Sequence, residues 1–213
     1  MVKRFALYSG LAVAAIALSV TVYGLTGRDG TQTAAAGCSA STETVEAISP
    51  HLQGEVAAVV PAETPGYLPE LTFKNAAGEE LSLADWQGRL VLLNLWATWC
   101  APCRHEMPAL DKLQGEFGGE EFEVVAVALD RAEPEKPAAF LEEIGNQNLA
   151  LYTDNTFEVF QSLRRDGHAF GLPTTILIDT NGCTLGVLSG PAEWFSEDAR
   201  NLIRAALGSA QTS

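Results

Sequence analysis

Leu90-Val91-Leu92-Leu93-Asn94-Leu95-Trp96 is a nearly unbroken apolar run, and Cys100-Ala101-Pro102-Cys103 follows it after a three-residue gap. A run of this kind reads as a central strand covered on both faces. Beyond the second cysteine, Met107, Leu110, Leu113 and Phe117 recur at spacings of three and four, which predicts a helix with one buried stripe. Gly118-Gly119 ends it. A buried strand, a short loop and a helix opening at a cysteine restrict the chain to a sheet covered by helices.

The remaining segments extend that pattern. Leu71-Thr72-Phe73, a turn at Asn75–Gly78, and Glu80–Leu83 read as a leading hairpin. Phe122–Leu129 reads as a second inner strand, and Pro134–Ile144 as a helix with Pro137 in its first turn. A short strand at Ala150–Tyr152 precedes a short helix at Phe157–Leu163. Thr174–Ile178 and Leu185–Leu188 form a hairpin about Thr180-Asn181-Gly182. Ser196 caps a last helix whose apolar face is Leu202, Ile203, Ala206 and Leu207. The fold class is α/β, a mixed sheet flanked by helices with an N-terminal hairpin.

Phe5–Leu25 carries no charge over 21 residues, enough helix to span a hydrocarbon core of about 30 Å. Lys3 and Arg4 precede it, so the N-terminus is expected in the cytoplasm and the rest across the membrane. The competing readings are a cleaved signal peptide and a lipid-modified Cys38. Residues 29–66 are rich in Ala, Thr, Ser, Gly, Glu and Pro and read as a tether carrying Cys38; Val56–Val60 is either a short strand or a segment packed on the domain. The expected partition is 1–28 anchor, 29–66 tether and 67–213 catalytic domain, with the core built almost wholly from 67–208. All 27 acids lie from Asp29 onward against 13 bases in the whole chain, a balance that repels a nucleic-acid backbone.

Two cysteines separated by two residues close a disulfide within one helical turn. At a helix N-terminus, unpaired N–H groups and the dipole stabilise a thiolate. Cys100 is therefore the expected exposed nucleophile and Cys103 the shielded resolving residue. Pro102 fits the first turn, and Trp99 is expected to pack beside the sulfur. Glu106, three residues past Cys103, is either its proton acceptor or an ordinary solvated acid. A zinc site needs more ligands than Cys100, Cys103 and His105 supply, and haem attachment needs His where Arg104 stands. Transient binding of a soft metal by the two thiolates is chemically open. The remaining pair, Cys38 and Cys183, either bridge or stay as two thiols.

LVLLNLWATWCAPCRHEMPALDKL, with GLPTTILID some seventy residues later, resembles the TlpA-like branch of the thioredoxin superfamily, as does GCTLGVLSGPAEWFSED at 182–198. The resemblance covers about residues 30–210. It implies a thioredoxin-like fold, a bacterial inner-membrane anchor and a periplasmic protein-disulfide reductase without cofactor or resident metal. It implies that Cys100 attacks, Cys103 resolves, the Leu172–Pro173 bond is cis, Cys38–Cys183 is a structural bridge and Glu106 tunes the cysteines. The implied substrates are a Sco-type copper chaperone and cytochrome oxidase subunit II during copper-A assembly, with an upstream membrane electron donor. Related alternatives are a reductase of cytochrome c maturation, a copper chaperone without redox turnover, and an oxidase. One departure stands out. Ordinary thioredoxin has a buried aspartate six residues before the first active cysteine; here it is Asn94, which relays no proton.

Overall fold

The computed structural model describes residues 37–68, 70–131 and 135–210. The apolar segment Phe5–Leu25 lies outside them. Among the described residues no helix is long and apolar enough to cross a membrane.

Eight strands form one mixed sheet: β1 (Val60–Pro61), β2 (Thr72–Asn75), β3 (Glu80–Ser82), β4 (Leu90–Trp96), β5 (Phe122–Ala128), β6 (Tyr152–Thr153), β7 (Thr174–Ile178) and β8 (Thr184–Ser189), in the order β1-β8-β7-β4-β5-β6-β2-β3. The helices are α1 (Ser41–Ile48), α2 (Ala101–Phe117), α3 (Lys136–Glu143), α4 (Glu158–Arg165) and α5 (Glu197–Ala210). β4 is central, parallel to β5 and antiparallel to β7. All seven of its residues are buried, as its apolar run requires. Side chains alternate across a strand. Leu90, Leu92 and Trp96 join the core under α2 and α5, whereas Val91, Leu93 and Leu95 join the core with Trp86, Phe73, Tyr152 and α4. Asn94 shares the parity of Leu92 and Trp96, so the one polar side chain of β4 faces α2.

The stripe expected of α2 is the one buried: Met107, Leu110 and Leu113 are fully enclosed and Phe117 packs against them. α5 buries Ala199, Leu202, Ile203 and Ala206, with the Ser196 hydroxyl accepting the Ala199 N–H at 3.1 Å.

The segment expected to be a tether differs. The compact unit begins at Cys38, not near residue 67. Residues 41–48 are helical and pack against α5; Ile48, Val56 and Val59 enter the core; and Val60–Pro61 pairs with Val187 and Gly186 as an edge of the sheet. These short pieces have too little periodicity to form alone, and their order comes from tertiary partners. Two of those are covalent or buried polar links: Cys38–Cys183 is a disulfide with a Cα–Cα distance of 5.7 Å, and the Ser41 hydroxyl donates to Asp179 at 2.5 Å. Asp179 also accepts the N–H groups of Asn181 (2.9 Å) and Cys183 (2.8 Å), fixing the β7–β8 turn in which Gly182 takes a φ of 84°.

Candidate active site

β4 ends at Trp96, and the loop 97–99 that follows is held from β5. Asp130, 4% exposed, accepts the Thr98 N–H at 3.1 Å and the Thr98 hydroxyl, while the Leu129 N–H donates to the Trp96 carbonyl at 2.9 Å. The loop delivers Cys100 as the residue capping α2. Its φ and ψ of −89° and 101° are extended, and its Sγ accepts the Cys103 N–H at 3.3 Å. The sulfur thus occupies the place of a capping oxygen, facing the unpaired amides and positive end of the helix. Pro102 lies in that first turn, where a missing N–H leaves no bond unmade.

Cys100 and Cys103 form a disulfide of 2.03 Å with a Cα–Cα distance of 5.3 Å. Cys103 is fully buried, and Cys100 is 6% exposed, less than the open position expected for it, because its sulfur is turned onto the helix end and bonded to Cys103. Trp99, expected to pack beside the sulfur, instead stands 65% exposed. It forms one wall of an open cleft of about 410 Å³ with Thr98, Asp130, Arg131 and Phe157. Arg104 lies over the Phe140 ring at 4.8 Å.

The Leu172–Pro173 peptide is cis. Leu95 opposes Thr174 in the β4–β7 register, so Pro173 comes level with the end of β4, from which the active loop departs. The Pro173 carbonyl accepts the Gly190 N–H at 2.9 Å. Phe170, just before this loop, is 76% exposed.

Glu106 is not a solvated acid; it is 3% exposed. One turn beyond Cys103, it projects toward β4 and the 190–195 segment. Its Oε1 accepts from Asn94 Nδ2 at 2.8 Å, and its Oε2 accepts the Ala192 N–H and the Trp194 Nε1–H, each at 3.3 Å. Burial pushes its pKa from 4.5 up to about 7, against the opposing hydrogen bonds of Asn94, Ala192 and Trp194. A carboxyl that changes charge near neutral pH, one helical turn from the buried Cys103, is suited to take that residue's proton when the disulfide is reduced to thiols.

Asp130 and Trp194 have roles at this site that no motif in the sequence announces. Thr98 following a strand end is a weak signal for a partner such as Asp130; nothing local marks Trp194. Asn94 was legible only as a departure, although strand alternation alone points it at α2. Among the described residues, no three His, Cys, Asp or Glu side chains cluster to hold a metal.

A family model described as "AhpC/TSA family" matches residues 67–184. The chain is 37% identical over 115 residues to the thioredoxin-like protein YneN of Bacillus subtilis, covering 54% of this chain and 64% of YneN. It is 31% identical over 125 residues to the thiol-disulfide oxidoreductase ResA of Geobacillus thermodenitrificans, covering 57% of this chain and 67% of ResA. A crystal structure from Chlorobium tepidum, assigned as a thiol:disulfide interchange protein DsbE, superposes with a TM-score of 0.57 at 32% identity, over 67% of this chain and 96% of the other.

Proposed function

The chain belongs to the AhpC/TSA family and is a thiol–disulfide oxidoreductase of ResA-like, thioredoxin-fold type, and from that premise we propose that it is a protein-disulfide reductase working outside the cytoplasm. The observation that carries this reading is the placement of Cys100 Sγ at the α2 N-terminus with Glu106 buried one turn past Cys103. The Cys38–Cys183 bridge supports an oxidising compartment. The apolar Phe5–Leu25 segment supports attachment to a bacterial inner membrane, with the catalytic domain in the periplasm.

Cys100, as thiolate, attacks one sulfur of the partner's disulfide. That bond breaks, and the departing partner sulfur is protonated from water. Cys103 gives its proton to the Glu106 carboxylate and attacks Cys100 Sγ, displacing the second partner sulfur, which also takes a proton from solvent. Two electrons pass to the partner, the chain is left with the Cys100–Cys103 disulfide, and Glu106 then releases its proton. An upstream membrane electron donor restores the dithiol. The exposed Trp99, next to Cys100 in the chain, and the cis Pro173 at the N-terminal end of β7 are the surfaces offered to a partner polypeptide.

The partners in this reading are a Sco-type copper chaperone and cytochrome oxidase subunit II. Their cysteines bind copper only as thiolates, so a disulfide must be reduced first. The segment 182–198, with its likeness to TlpA, supports that choice over apocytochrome c.

The test is the reduction potential of Cys100–Cys103, equilibrated with a thiol buffer in a variant carrying Cys38→Ser and Cys183→Ser. A value below roughly −200 mV supports a reductase, while one near roughly −120 mV, like that of a strong oxidant, overturns it. Reduction of purified oxidised copper chaperone, but not of apocytochrome c, is the expected substrate result.

A further inference from the structure

Glu106 is held by groups of fixed and opposite hydrogen-bonding character, and they decide where its proton can go. Oε2 faces two N–H donors, from Ala192 and Trp194, each at 3.3 Å. Neither donor can accept, so a proton on Oε2 would point at N–H groups. The proton taken from Cys103 therefore belongs on Oε1. Yet Oε1 also faces a donor, Asn94 Nδ2 at 2.8 Å. The same Nδ2 donates its other hydrogen to Thr175 Oγ1 at 2.9 Å, and Asn94 Oδ1 is buried without a partner. This arrangement suits a carboxylate and opposes a carboxylic acid.

Asn94 is the one neighbour that can reverse its polarity. Half a turn about Cβ–Cγ exchanges Nδ2 for Oδ1 at nearly the same place. Oδ1 then accepts the Glu106 hydroxyl, and Thr175, whose hydroxyl can either donate or accept, donates to it in turn. Both orientations leave one end of the amide unpartnered, so neither is locked.

We infer that Asn94 is a positioning residue whose side-chain amide turns over when Glu106 is protonated, presenting Nδ2 to the carboxylate and Oδ1 to the acid. No covalent bond changes in this step; the proton passes from Cys103 Sγ to Glu106 Oε1, and the amide follows it. The inference rests on the reductase reading for its purpose, namely accepting a proton in a dry site without leaving it facing a donor.

The surroundings contain little else that could do this. On α2, Cys103 lies three residues before Glu106; β4 brings Asn94, with Thr175 of β7 behind it; and the 190–195 segment brings Ala192 and Trp194. Glu193 is exposed and accepts the Phe195 N–H at 3.4 Å. Arg104 and His105 are exposed on α2.

The test is nuclear magnetic resonance of the oxidised full-length protein, following the two Asn94 side-chain amide protons across neutral pH. Their signals are identified by their loss in Asn94→Leu. The expected result is that both protons shift upfield together as pH falls, with the Glu106 midpoint, and that Glu106→Gln abolishes the transition. If the proton bonded to Thr175 keeps its position while Glu106 titrates, or the transition survives Glu106→Gln, the amide does not turn and the inference is overturned. The measurement uses no substrate, so it can fail while disulfide reduction stands.

Discussion

A cysteine pair within one helical turn is common chemistry; the residues around it set the direction and order of its steps. Cys103 is fully enclosed and Cys100 is the nearer to solvent, so an incoming disulfide meets Cys100 first. Cys103→Ser is expected to stop the cycle at the mixed disulfide, and mass spectrometry of the trapped adduct will find the partner on Cys100. The reverse variant, Cys100→Ser, is expected to trap none. Glu106→Gln keeps the size of the side chain and removes its base. The expected outcome is resolution slowed about 10²-fold, with the pH dependence near neutrality flattened, measured by stopped-flow release of the partner thiol. The sequence carried the two cysteines and the spacing of Glu106, because these are local. It did not carry burial, and burial alone separates a solvated acid from one titrating at about 7.

At the scale of elements, the segment before residue 67 is where sequence and structure part. β4, α2 and β5 announce themselves because each buries a continuous or periodic apolar set. α1 buries Ser41, Thr44 and Ile48, two of the three polar, and such a face looks like a linker until its partners are known. Its partners are α5 and the β7–β8 turn, more than a hundred residues distant. Cys38–Cys183 closes a span of 145 residues, for which chain entropy gives up to about 5 kcal/mol. Replacing both cysteines by serine is expected to lower stability by an amount of that order in denaturant unfolding, without loss of the Cys100–Cys103 couple. Ile48→Ala, which empties a fully buried site, is expected to cost about 2–5 kcal/mol in the same measurement; a cost near zero would mean that α1 is not part of the folded core.

For the whole molecule, the acid kept in the interior has a thermodynamic signature. The folded state binds the Glu106 proton up to about pH 7, whereas an unfolded chain releases it near 4.5. The unfolded state therefore holds fewer protons between these values, and stability falls as pH rises through that window. A displacement of this size corresponds to about 3 kcal/mol. Wild type and Glu106→Gln, both with disulfides intact, are expected to diverge in this direction between pH 5 and pH 8, the variant being relatively more stable at the higher pH. Equal slopes would mean that Glu106 is hydrated in solution.

The outer margins of the sheet carry a different consequence. β1 is only two residues long, an exposed Val60 and a half-buried Pro61, and a proline offers no N–H to an approaching strand; β3, at the other margin, is three residues long and begins at Glu80. Short, interrupted or charged borders deny a second copy the long flat template that amyloid and edge-to-edge polymers need. A domain that exchanges disulfides with other proteins thus offers them a sulfur to react with but no long open strand edge to extend.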